Sequence, residues 1–204
     1  MNDNIFIITK NADYNIYNND FQLSKKIYDT VIFGRRFNTT IRLVDFPNNI
    51  KTILFGNFFN QPVNEVIFPE NLEKLCFGDN FNQEVNNLKL PKNLKILRFG
   101  YNFNKSLDEL ILPEKLEILE LGVEYDMKLT NINIGNLTKL ILNNDSKITL
   151  NNLPNNLKFL EIFNITKPLT NLPISLEILF YKNSTDEILS KCKLPYGCNL
   201  LKKN

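Results

Sequence analysis

Hydrophobic residues along this chain alternate in short runs, and the runs recur. Residues 72–78 read Leu72-Glu73-Lys74-Leu75-Cys76-Phe77-Gly78, and after a polar break Val85, Leu88 and Leu90 form a second run closed by Pro91. Alternation over about six residues, bounded by Gly and Pro, predicts strands, because successive side chains of an extended chain point to opposite faces. No stretch within the pattern holds a 3.6-residue period for ten residues between breakers, so helices are not predicted there. One unit therefore reads as two strands and two corners. Glycine after the first strand is expected to turn the chain through a positive φ. Proline ends the second strand, since it cannot donate to a ladder.

The unit repeats every 22 residues in three ladders that share one phase. The first is Phe33-Gly34, Phe55-Gly56, Phe77-Gly78, Phe99-Gly100 and Leu121-Gly122. The second is Pro47, Pro69, Pro91 and Pro113, with Gly135 one step on. The third is Phe37-Asn38, Phe59-Asn60, Phe81-Asn82 and Phe103-Asn104, relaxing to Tyr125-Asp126. A period in this range indicates a solenoid or array. A single unit buries too little apolar surface to offset the entropy of ordering its backbone, so the coils are stable only when stacked.

The first strand can be followed through eight coils: 28–34, 50–56, 72–78, 94–100, 116–122, 137–142, 157–162 and 176–181. The third ladder predicts that its Phe fills a corner while its Asn bonds turn backbone, so that Asn38, Asn60, Asn82 and Asn104 form a ladder along one edge. Pro154 and Pro173 each follow at 19-residue steps, so the later coils contract and the second sheet is expected to narrow. Residues 1–27 are expected to cap one end, with Ile5–Ile8 as an edge strand. Residues 28–182 form the solenoid, and 183–204 cap the other end. There, 184–192 reads as a helix that covers the open stack, with Ser184 and Glu187 as a capping box.

If Leu75 and Phe77 point inward, two columns face outward on the first sheet. One holds Thr30, Thr52, Lys74, Ile96, Ile118, Lys139, Phe159 and Ile178; the other holds Ile32, Leu54, Cys76, Arg98, Glu120, Ile141, Glu161 and Phe180. At least half are apolar, which is unusual for a solvated face and typical of a contact surface. The equivalent second-sheet positions are more polar (Glu65, Asn87, Lys89, Glu109, Asn131, Asn133), with Leu43, Ile67 and Ile111 as exceptions. The competing explanation is that terminal elements cover these positions, or that β-propensity alone selected Ile and Leu.

Composition narrows the chemistry. Asparagine is the commonest residue, but it is interleaved with periodic hydrophobes, which argues for a folded array over a prion-like tract. The net charge of +2, from 24 basic and 22 acidic residues without long clusters, gives no electrostatic case for nucleic acid or an anionic membrane. Cys76, Cys192 and Cys198 are an odd number without CxxC spacing, and there is no histidine to complete a zinc site. Packed, reduced thiols are expected, with no cofactor and no metal. The N-terminal apolar run Ile5–Ile8 is too short for a signal peptide or a membrane span, so a cytoplasmic location is expected.

Phe59-Asn60-Gln61-Pro62-Val63, followed by residues 66–78, resembles the FNIP repeat, a leucine-rich-repeat-like unit of social amoebae and their giant viruses. The likeness covers about residues 28–182 and is strongest over 28–122. It implies a mainly β, leucine-rich-repeat-like right-handed solenoid of about eight coils of 22, later 19–20, residues, with parallel strands and a short C-terminal capping helix. Other coils depart from the motif's proline, as Phe37–Ile41, Phe81–Val85 and Phe103–Leu107 show. Relatives often carry an F-box before the repeats, which implies substrate recognition for ubiquitin ligases; the 27 residues before the first coil are too few for that domain.

Function then reads as a non-catalytic protein–protein interaction scaffold, an adaptor for substrate or host recognition. The expected anchors are Leu54, Lys74, Ile96, Arg98, Ile118, Glu120, Lys139, Ile141, Phe159, Glu161, Ile178 and Phe180. The partner is an unidentified protein. Self-association of two copies is one alternative. A carbohydrate-active β-helix enzyme is the other, for which Glu117 and Glu120 are the carboxylate pair. Against an enzyme stand the lack of histidine and the absence of GxSxG, P-loop and GxGxxG motifs.

Overall fold

A computed structural model of the chain describes residues 5–8, 28–42, 44–127, 129, 136–142, 150 and 153–203. Ten strands lie in one parallel sheet, in chain order: β1 (Ile5–Ile8), β2 (Thr30–Phe33), β3 (Thr52–Leu54), β4 (Lys74–Cys76), β5 (Ile96–Arg98), β6 (Ile118–Leu121), β7 (Lys139–Leu142), β8 (Phe159–Asn164), β9 (Ile178–Asn183) and β10 (Asn199–Lys202). All eight strands read from the repeat are present, and Ile5–Ile8 pairs with β2 as an added edge strand. At about 4.8 Å per strand the stack is about 43 Å long.

Register is set by the repeat itself. Thr30, Thr52, Lys74, Ile96 and Ile118 lie opposite one another in turn, each one period from the last. The inward residue between the two outer columns is Val31, Ile53, Leu75, Leu97, Leu119, Leu140, Leu160 or Leu179, and all eight are fully buried. A one-residue slip would send this whole row to solvent, so the hydrophobic pattern pins the pairing.

Two aromatic columns form the rest of the core. Phe33, Phe55, Phe77 and Phe99 stack with centroids 4.7, 5.4 and 5.5 Å apart. Beside them run Phe37, Phe59, Phe81, Phe103 and Tyr125 at 6.0–6.1 Å. Within each coil the two rings also touch, as Phe77 and Phe81 do at 4.0 Å. Ring pairs of this kind contribute about 0.5–1.5 kcal/mol each beyond the area they bury. The corner asparagines form the expected ladder. The backbone N–H groups of Asn60, Asn82, Asn104 and Asp126 donate to the Oδ1 of Asn38, Asn60, Asn82 and Asn104 at 2.8–3.1 Å.

Four expectations need correction. The second run of each coil is not a strand. Val44, Val66, Leu88 and Leu110 donate their N–H within the coil, to the carbonyls of Ile41, Val63, Val85 and Leu107, which closes tight turns where a ladder would form. In-and-out alternation survives there (Val66 and Phe68 are buried and Ile67 is exposed), so burial was legible although the hydrogen bonding was not.

Glycine is also present for another reason. Among the described glycines only Gly197 has positive φ. A β-carbon on Gly56, Gly78, Gly100 or Gly122 would meet the preceding coil's glycine carbonyl oxygen at 1.8–2.2 Å. The residue is selected by the close approach of one backbone to the next. Where the glycine position is filled by Phe163 or Lys182, the strand runs on: β8 and β9 reach six residues, and the Lys182 ammonium lies 5.1 Å from the centre of the Phe163 ring.

The helix is shorter than expected and does not cap the stack. It is α1 (Asp186–Ser190), with Thr185 as its N-cap, Oγ1 accepting from the Ile188 N–H at 3.3 Å. Ser184 instead donates to the Ile165 carbonyl at 2.9 Å. None of its residues is buried. The chain goes on through the Pro195 corner, where the Cys198 N–H donates to the Pro195 carbonyl, to place β10 beside β9. The 22-residue step recovered at Pro195 carries a further coil in what was read as a cap.

Two substitutions test this packing. Gly78→Ala places a β-carbon 2.0 Å from the Gly56 carbonyl oxygen and is expected to cost about 3 kcal/mol or more in urea unfolding. Gly197→Ala, with open space but a φ of +78, is expected to cost only about 1 kcal/mol. Conversely, the Tyr125 hydroxyl is buried without a hydrogen-bond partner among the described residues, and burial pushes its pKa up. Tyr125→Phe, which restores the ring of the column, is expected to raise stability by about 1 kcal/mol in the same assay.

Candidate protein-binding face

The outer surface of the sheet presents the two columns read from the sequence. The first runs Thr30, Thr52, Lys74, Ile96, Ile118, Lys139, Phe159, Ile178 and ends at Asn199. The second runs Ile32, Leu54, Cys76, Arg98, Glu120, Ile141, Glu161, Phe180 and ends at Leu201. Every one of the twelve expected anchors lies on this surface. Arg98 is exposed and the other eleven are half-buried against their neighbours, so no described segment folds over them. The described terminal strands, β1 and β10, join the same sheet edge to edge.

The face divides into chemically distinct parts. The Arg98 Nε lies 3.1 Å from the Glu120 carboxylate in the middle, and the Lys203 Nζ lies 2.5 Å from that of Glu161. Towards β10 the surface becomes aromatic, with Phe159, Phe163 and Phe180 beside Ile178 and Leu201. Cys76 sits between the columns' charged residues, and burial pushes its thiol pKa up despite Lys74 and Arg98 nearby. A reactive thiolate is therefore disfavoured. Glu117 stands just outside the columns, while Glu120 is engaged by Arg98, so the two do not form a free carboxylate pair. Among the described residues no group of three or more Cys, Asp or Glu side chains is placed to hold a metal ion.

On the opposite side Glu65, Asn87, Lys89, Glu109, Ile67 and Ile111 are exposed, as their positions implied. Residues 43, 131 and 133 lie outside the described residues.

Two inter-coil devices flank the face that the sequence reading passed over. After the first three proline corners an amide reaches back one coil: Asn49 to the Tyr28 carbonyl, Asn71 to Asn48 and Asn93 to Glu70. After Pro113, Lys115 takes the place and donates to the Asn93 Oδ1, and after Gly135, Asn136 reaches the Glu114 carbonyl. Beside it, Asp29, Lys51, Glu73, Lys95 and Glu117 alternate in sign from coil to coil. Lys95 Nζ lies 2.7 Å from the Glu73 carboxylate and Lys51 Nζ lies 3.9 Å from it. The charge row and the amides at 49, 71 and 93 obey the 22-residue period, which is the signal that would have revealed them. Asp29, Lys51, Glu73 and Lys95 line a groove of about 660 Å³ with Asn48, Asn49, Asn71, Asn93 and Lys115. Many of its donors are committed to the neighbouring coil, so the groove is a zipper between coils.

The fold defines a class before it defines a family: a leucine-rich-repeat-like parallel solenoid, a scaffold architecture generally associated with protein–protein interaction and typically non-catalytic. The FNIP Repeat family model matches residues 37–80, 59–102 and 81–124. The three matches overlap in tandem across residues 37–124, so this stretch is similar to consecutive FNIP repeats. Among solved structures, CroV588 of a giant virus, described as a novel circular leucine-rich-repeat protein, resembles this chain at 29% identity with a TM-score of 0.62. The match covers 86% of this chain and 30% of that one, so this chain spans about a third of its length. No curated protein matches the chain. Among the described residues no helix is long and apolar enough to cross a membrane.

The charge row has a pH signature. The hydrogen bond from Lys95 holds the Glu73 carboxyl below its ordinary value of 4.5, against a smaller opposing effect of burial. A carboxylate whose pKa is lowered by folding stabilises the protein above its unfolded pKa. That contribution is lost as pH falls through the folded value. Glu73→Gln is therefore expected to melt below wild type at neutral pH, the gap closing below about pH 4. Thermal melts across that range check it.

Proposed function

We propose that this protein is a non-catalytic adaptor whose sheet face captures a protein partner. The reading rests chiefly on the composition of that face. Ile96 and Ile118 lie side by side at its centre, Ile141 follows, and Phe159, Ile178 and Phe180 extend the apolar surface towards β10. No described element covers them. Interiors need apolar residues, but this row points away from the core leucines, and a contiguous apolar surface on a folded domain marks an interaction site. A scaffold with every coil held by its neighbours presents such a surface rigidly, which lowers the ordering cost of binding. Recognition of a substrate or host protein in the cytoplasm, with the scaffold as one part of a larger assembly, is the role this supports.

The test is the double substitution Ile96→Asp/Ile118→Asp. Both side chains point off the sheet, so the melting temperature is expected to stay within a few degrees of wild type. Affinity capture from amoebal lysate is expected to lose its specific bands. Retention of the same bands would place binding elsewhere on the molecule, and collapse of the fold would show that the two isoleucines belong to the core.

A further inference from the structure

We infer that the partner segment docked on this face is an acidic extended peptide that carries two carboxylates about four residues apart with apolar side chains between them. The inference rests on the face being the binding surface and adds what it recognises. It follows from which charges there are already neutralised. Glu120 is paired with Arg98 and Glu161 with Lys203. In the flanking row Glu73 is shared by Lys51 and Lys95, and Lys158 pairs with Glu177. Glu117 adds to the field around Lys95. Lys74 and Lys139, by contrast, have no ion-pair partner among the described residues, and both stand in the first outer column. Lys74 lies between Thr52 and Ile96, and Lys139 between Ile118 and Phe159.

The column thus reads cation, Ile96, Ile118, cation across four adjacent strands. Three strand steps separate the two ammonium groups by about 14 Å, and an extended chain advances about 3.3 Å per residue. A peptide that crosses the strands would place carboxylates on both lysines when they are about four residues apart. Apolar residues between them would cover the isoleucines. Nucleic acid fits less well, because its closely spaced phosphates would meet the apolar pair and the Glu120 carboxylate between Lys74 and Lys139.

A library of linear peptides displayed on phage and panned against the full chain tests this, with enriched sequences measured as fluorescent peptides by anisotropy. The expected consensus has two acidic residues about four positions apart around apolar ones. Lys74→Glu/Lys139→Glu is expected to weaken binding about tenfold or more with an unchanged melting temperature, and added salt to weaken it further. Peptides that lose binding to Ile96→Asp/Ile118→Asp yet ignore the lysine reversal would overturn this inference and leave the docking face in place. Peptides that bind both variants as well as wild type, or a library without face-dependent binders, would remove the two together. Displacement of the peptide by single-stranded DNA, dependent on the same lysines, would reassign the occupant and also overturn the inference.

Discussion

The distance between successive coils is the constraint on which the molecule depends, and the Phe-Gly corner imposes it. There one backbone comes so near the next that no side chain larger than hydrogen fits. That approach lets the strand N–H groups reach across, as Phe77 does to the Arg98 carbonyl at 2.9 Å and Phe55 to the Cys76 carbonyl at 2.8 Å. It also brings the phenylalanine rings to stacking distance. Hydrogen bonds, aromatic columns and amide ladders all share this one repeat length. Stability is accordingly a nearest-neighbour property, in which each coil is held by the one before and the one after.

The ladder of corner asparagines shows how polar residues serve the same end. A carboxamide that accepts the next coil's N–H satisfies a donor the sheet cannot reach. Gln61 and Gln83 add a second donor to the same oxygens of Asn38 and Asn60. The abundance of asparagine, ambiguous as composition, acquires a structural role only once register is known. The outer face differs from these edges in kind, since its inter-coil contacts are the ion pairs Arg98–Glu120 and Glu161–Lys203 among apolar side chains and not an amide ladder.

Much of this was legible because periodicity is a property of sequence. The strands, their parallel order, the buried leucine row and the outward columns all follow from where Leu75, Phe77 and Lys74 fall within one unit. The misreadings came from interactions that periodicity does not encode. Val85-x-x-Leu88 looks like a strand by alternation, but its N–H is spent on a local turn. Glycine looks like a turn residue whether φ or crowding requires it. Ser184 and Thr185 are equally plausible caps, and only the Ile165 carbonyl, from the previous coil, decides between them. Of the site, the positions were legible and the pairing of charges was not. Arg98 and Glu120 are as far apart in sequence as any two neighbours in the stack, and Glu161 is claimed by Lys203 two coils on.

The alternating charges along the flank also bear on how such an array can grow. Removing the coil of Glu73 would bring two lysines face to face, and removing that of Lys95 would bring two glutamates together. Removing or duplicating two coils together would preserve the order of signs. Like charges on adjacent strands are mildly unfavourable, so a change in length by two units keeps the row favourable where a change by one does not. Within this row the electrostatics thus distinguish even from odd changes in the number of coils.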